Sequence, residues 1–286
     1  MLKYLKYRKI KYVELRDVSI KNPIKIKRKR IGKYSNEELK LIKQLLNQYE
    51  IEVSCLSSPL FNHDFPKNSN EKESMIAEFK RYCEIANILN SNIIRTFSFK
   101  PNPWNIERVY YSDQNTTNLN SDLKGNFYNQ FKYICAFFKE IGDIAKNYGV
   151  KVALENEPKL FGNNVENSIK LIEEINHPSI GLLWDPGNMW RHYMDENPQQ
   201  MKKMYKYVIY SHIKDVGTTK KGRRFHCVNG SGIIPYVEFF KDILELGYEF
   251  IFSVETHMHG FKWRNSVKCL DGLIKLLKQA NWNVLH

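Results

Sequence analysis

The chain has 286 residues, 42% of them hydrophobic and 13% aromatic, which is enough for a sizeable core in one large α/β barrel or two small domains. It contains no apolar run of about eighteen residues and its N-terminus lacks a signal-like apolar stretch, so a membrane span and secretion are not expected and a cytoplasmic location is. The net charge of +13 leaves nucleic acid or an anionic small molecule open as partner, but Lys is abundant throughout, and the densest cluster, "PIKIKRKRIGK" (23–33), reads first as a solvated basic loop.

The elements alternate. A short helix in "MLKYLKYRKI" leads to a strand at 11–18. A helix follows at 35–50, with Ser35 as its cap and apolar residues Leu39, Ile42, Leu45 and Leu46 at helical spacing. A strand at 51–59, a helix at 71–90 and a strand at 92–101 come next. Polar residues 101–120 read as a long loop of the kind that carries binding residues, before a helix at 121–149 stopped by Gly149. The second half continues with strands at 150–158, 179–188, 209–216 and 249–260. The helices between and after them fall at 163–176, 197–208, 235–248 and 263–281.

This βα rhythm without a linker predicts a single (β/α)8-type barrel domain over 1–286. Only about seven strands are recognisable, however, and the one expected before the N-terminal helix is missing. The expectation is an N-terminally truncated or open barrel; a partner chain filling the gap is the third option. The five cysteines (Cys55, Cys83, Cys135, Cys227, Cys269) are scattered and form no C-x-x-C pair, so they are expected to be reduced and mostly buried.

In such barrels the chemistry sits at the C-terminal strand ends. Four late strands each deliver a carboxylate or imidazole there: Glu155, Asp185, His212 and Glu255. Converging carboxylates repel one another unless a cation joins them, and three carboxylates with one imidazole suit Mn²⁺, Mg²⁺, Co²⁺ or Zn²⁺. Each residue also has a plainer reading: a strand cap for Glu155, a turn at Asp185-Pro186-Gly187, a core histidine for His212, a lysine partner for Glu255. Arg95, Glu157, Asn188, Lys214 and His257 lie at the same rim and are candidate substrate contacts. No G-x-S-x-G, Walker A or G-x-G-x-x-G motif is present.

The ordered set "KYVELRD", "VSCLSSPLF", "IRTFSF", "VALENEP", "GLLWDPGN", "YSHIKDV", "NGSG" and "FSVETH" resembles the xylose isomerase-like barrels. The resemblance covers nearly the whole chain. It implies a single divalent metal held by Glu155, Asp185, His212 and Glu255, with Glu155 and Glu255 doubling as acid and base. It further implies isomerisation or epimerisation of a sugar or sugar phosphate through a cis-enediolate; these barrels often pair as homodimers. The alternatives within that resemblance are a dehydratase of the inosose or dehydroshikimate type, and a remnant barrel that binds without turnover. An apurinic-site endonuclease is disfavoured, because Asn188 stands where an extra histidine ligand is needed and Arg224 where an Asp is. Relative to ketose 3-epimerases, Asn188 replaces a substrate-binding His and Thr218 an Arg, and Ser231 stands where many relatives have the middle residue of Gly-Glu-Gly.

Overall fold

The computed structural model describes residues 1–22, 25–101, 121–192 and 197–283, with backbone alone at 20–22, 25–27 and 121–127. Seven strands form one parallel sheet in chain order: Tyr12–Leu15, Glu52–Ser57, Ile93–Thr96, Lys151–Glu155, Ile180–Trp184, Val208–Ile213 and Phe252–Val254, hereafter the first to seventh strands. Helices Asn36–Gln48, Ser69–Leu89, Ser121–Asn147, Val165–Ile175, Tyr236–Glu245 and Lys262–Gln279 follow all but the fifth strand. That one leads into the short helix Pro186–Arg191.

Local chemistry explains these elements. Ser35 caps its helix in a full capping box: its side chain accepts from Glu38 N while Glu38 accepts from Ser35 N. Strands three and five are buried at every position, as expected for parallel strands covered on both faces. Side chains inside the barrel come from one parity of each strand. Cys55, Ile93, Ala153, Leu183 and Tyr210 pack together as an apolar floor. Two residues further along the third to sixth strands the same faces carry Arg95, Glu155, Asp185 and His212, so the polar layer rests directly on that floor.

The seven-strand expectation holds, and its consequence is a seam. Among the described residues the first strand pairs only with the second, and the seventh only with the sixth. The seventh strand is accordingly half-buried and spans three residues rather than the expected 249–260, having a neighbour on one side alone. A cavity of about 1880 Å³ opens along the seam, lined by Leu2, Leu5, Glu14, Tyr210, Glu255 and Trp263 among others. The N-terminal helix Leu2–Tyr7 forms part of its wall, with Tyr4 edge-on to Trp263 at 5.1 Å and Arg8 bonded to Asp271 at 2.6 Å.

Two hairpins were not anticipated. Asp17–Asn22 pairs antiparallel with Lys25–Arg30, so the basic stretch read as a loop is a strand; its alternation of Ile and Lys is a period-two signal. Asp215–Thr218 pairs with Arg224–Cys227, because the sixth strand leaves the sheet after Ile213. The expected loop at 101–120 lies, beyond Pro101, outside the described residues. All five cysteines are free, and four are buried. No helix among the described residues is long and apolar enough to cross a membrane.

Candidate metal centre

Glu155, Asp185, His212 and Glu255 meet above the floor, each offering one atom within 4.8 Å of the others. His212 Nδ1 stands 3.5 Å from Glu155 Oε1, 3.6 Å from Glu255 Oε2 and 3.8 Å from Asp185 Oδ2. That nitrogen is buried and makes no hydrogen bond. An orphaned imidazole nitrogen facing three carboxylates is what a divalent cation would satisfy, so the residues fit a metal of that class. Asp185 serves two ends: Oδ1 accepts from Asn188 N and caps the Pro186–Arg191 helix, while Oδ2 faces the centre. Its turn-shaping reading and its ligand reading are compatible.

Around these four lies a ring of charge. Lys214 Nζ sits 2.7 Å from Asp185 Oδ2 and 2.6 Å from Glu255 Oε2, fully enclosed. Its stem passes Gly187, where an added Cβ would come within 2.3 Å of Lys214 Cγ. Arg95, wholly buried, places Nε 3.2 Å from Glu155 Oε2 and donates to Ser58 O at 2.6 Å and to Ser57 Oγ. Glu14 accepts from His212 Nε2 at 2.9 and 3.1 Å. The arrangement carboxylate–imidazole–ligand hole is the one that orients metal-binding histidines.

The electrostatics follow from those contacts. Burial pushes Glu155 up, but Arg95 and His212 outweigh it and bring the carboxyl down to about 2. Burial also opposes ionisation of Glu255, and Lys214 and His212 overcome it, leaving it well below the usual range. Asp185 is pushed up to about 6 by burial, against the pull of Lys214. Burial and the Glu155 charge lift Glu157 to about 8, so it carries a proton at neutral pH. Burial disfavours the His212 imidazolium, but Glu14, Glu255 and Glu155 outweigh it and hold the ring proton far above its usual value. Once a cation displaces the His212 proton, and with Glu157 neutral, four carboxylates (Glu14, Glu155, Asp185, Glu255) face two enclosed cations (Arg95, Lys214). The deficit of two charges matches one divalent ion.

The other rim candidates divide. His257, 41% exposed, has Nε2 3.1 Å from Glu255 Oε2 and stands at the open side. Asn188 directs its amide nitrogen to Glu157 Oε2 (2.7 Å), Asn156 O (2.9 Å) and Glu155 Oε1 (3.1 Å), bridging the two glutamates. Arg95 likewise meets Glu155 within the barrel wall. Glu14 was visible as an acid at a strand end but was not assigned to the site. Its signal was its position, two residues beyond the first strand's start at Tyr12, on the parity that faces the interior. Asp215 belongs elsewhere: it accepts from the backbone of Val216, Gly230 and Gly232, which accounts for "NGSG" as a close backbone approach. The His226 ring lies 5.1 Å from that of His257, tilted by 46°, and is held down to about 4 by burial, Lys214 and His257.

Comparison with known proteins agrees with this fold. A crystal structure of a xylose isomerase-like TIM barrel protein from Mycobacterium smegmatis in complex with magnesium superposes with a TM-score of 0.69 at 17% identity, covering 98% of this chain and 88% of that one. The IOLI protein, solved with a bound zinc atom, gives a TM-score of 0.71 at 19% identity over 98% of this chain and 92% of its own. In sequence, inosose isomerase from Bacillus subtilis is 29% identical over 122 residues, 41% of this chain and 43% of that enzyme. Residues 8–275 match the family described as Xylose isomerase-like TIM barrel, and the chain belongs to that family.

Proposed function

We propose that the protein is a metal-dependent isomerase or epimerase of a sugar or sugar phosphate. The observation that carries this reading is the convergence of Glu155, Asp185, His212 and Glu255 on one buried point, with Glu155 reaching it from the fourth strand and Glu255 from the end of the seventh. These four residues would hold the cation. When bound, a divalent ion polarises a carbonyl and favours negative charge on its oxygen.

The chain's own residues supply the rest. Glu155, kept ionised by Arg95, is a base ready to take a proton from the carbon beside the carbonyl. Glu255 accepts a hydrogen bond from Lys214 Nζ at 2.6 Å; it would take a proton from that ammonium and deliver it at the other face or the neighbouring carbon, while the proton taken by Glu155 leaves to solvent and solvent reprotonates Lys214. A proton leaving one carbon and arriving at another, through a cis-enediolate, gives isomerisation; return to the same carbon from the opposite face gives epimerisation. Protonated Glu157 offers a hydrogen bond to a substrate hydroxyl, and Lys214 and His257 lie where developing oxygen charge would be met. Arg95 and Asn188 enter through Glu155, which both contact.

The test is a panel of ketoses, aldoses and their phosphates in D₂O, with Mn²⁺ or with EDTA. Deuterium incorporation at the carbon next to the carbonyl, lost on chelation and in Glu155→Gln, is expected. Turnover indifferent to both would overturn the proposal. Loss of water, seen as a new ultraviolet-absorbing conjugated carbonyl, would assign the same site to a dehydratase instead.

A further inference from the structure

We propose that Glu14 is a positioning residue that couples the metal centre to the open seam of the barrel; this rests on the metal reading above. The first and seventh strands share no backbone ladder among the described residues. Inside the barrel they are joined by side chains. Glu14, on the first strand, accepts from Ser253 Oγ on the seventh at 3.0 Å and from His212 Nε2 on the sixth at 2.9 Å. Arg16, next along the same face, lies 3.7 Å from Glu255 Oε1. The first strand therefore reaches two of the four candidate ligands, and it does so across the gap.

The hydrogen-bond inventory makes the coupling specific. A neutral imidazole donates from one nitrogen and accepts at the other. With Nε2–H given to Glu14, the nitrogen left to a cation is Nδ1, which faces Glu155, Asp185 and Glu255 and has no hydrogen bond of its own. Without Glu14 nothing fixes that choice. Conversely, an imidazole held by a cation at Nδ1 holds Glu14 at Nε2, and Glu14 in turn holds Ser253 and the first strand. Binding at one end must tighten the other by the same factor.

Mn²⁺ titration calorimetry and peptide-level hydrogen–deuterium exchange test this together. Glu14→Ala is expected to weaken Mn²⁺ binding roughly 10- to 100-fold. Glu14→Gln, whose amide oxygen still accepts from Nε2–H, is expected to lose less. In the unaltered protein, Mn²⁺ should slow exchange in residues 11–17 and 249–257. In Glu14→Ala at saturating Mn²⁺, the slowing at 11–17 should vanish while that at 180–188 persists, a separation that simple destabilisation does not produce. Affinity within about twofold of the unaltered protein, or metal-linked protection of 11–17 surviving in Glu14→Ala, would overturn the inference. Should that variant not fold, the unaltered protein decides: no change at 11–17 on adding Mn²⁺ would overturn it. Absence of any Mn²⁺ binding to the unaltered protein would instead overturn the metal reading itself.

Discussion

Replacing Arg95 with Met should be among the most damaging single changes in this barrel, and for an electrostatic reason. Arg95 and Glu155 are both buried, with Nε and Oε2 3.2 Å apart. At an effective dielectric near 20, that separation corresponds to an attraction of about 5 kcal/mol. The carboxyl's descent from 4.5 to about 2 against the pull of burial corresponds to about 3 kcal/mol, with Arg95 the largest favourable contributor and His212 sharing it. Met fills similar volume but leaves Glu155 charged, enclosed and short of its principal cation, so the expected loss is about 3–5 kcal/mol. The assay is urea unfolding in EDTA, near neutral pH, of the unaltered chain, Arg95→Met, Glu155→Gln and the double variant. Because the folded-state value of Glu155 is depressed, the pair's contribution is present above the ordinary carboxylate range and is lost as pH falls toward about 2; the gap between unaltered chain and Arg95→Met should narrow in acid. The double variant should be more stable than Arg95→Met alone. A cost below about 1 kcal/mol, or a double variant less stable than Arg95→Met, would refute the reasoning.

Other outcomes follow from neighbouring contacts. Lys214→Met removes an enclosed cation bonded to two candidate ligands, so Mn²⁺ should bind about tenfold more tightly by calorimetry while turnover falls; weaker binding would contradict the charge balance. Gly187→Ala puts a Cβ 2.3 Å from Lys214 Cγ and 2.6 Å from Lys214 O, and should cost about 1–3 kcal/mol in denaturant unfolding; an unchanged unfolding midpoint would contradict that close approach. Metal affinity should rise with pH across the neutral range: without metal His212 holds its proton, raised by Glu14, Glu255 and Glu155 against burial, and a cation must displace it. Calorimetry in buffers of different ionisation enthalpy should report proton release on Mn²⁺ binding, and pH-independent affinity would contradict this.

Much of this was legible in the sequence because it lies on parity. "VALE", "LLWD" and "YSH" each put a small or apolar residue two positions before a ligand, and the barrel's interior face turns that spacing into a floor and a polar layer. The count of seven strands and the resulting gap were legible for the same reason. What escaped were relations between distant strands. Nothing in "KYVEL" says that Glu14 will meet His212, 198 positions away, since that contact exists only once the sheet curls round to its own edge. Arg95 and Asn188 showed their chemistry but not their protein partner, which for both is Glu155. The basic segment 25–30 was misread because its charge outweighed its alternation, although the alternation decided the local structure.

The most direct test of the central claim is the stoichiometry of Mn²⁺ binding by calorimetry, in the unaltered chain and in Asp185→Asn and His212→Ala. The account predicts one site per chain, displaced by EDTA and lost or severely weakened in both variants, with both variants retaining cooperative unfolding. No binding, or binding that both substitutions leave unchanged, would contradict it.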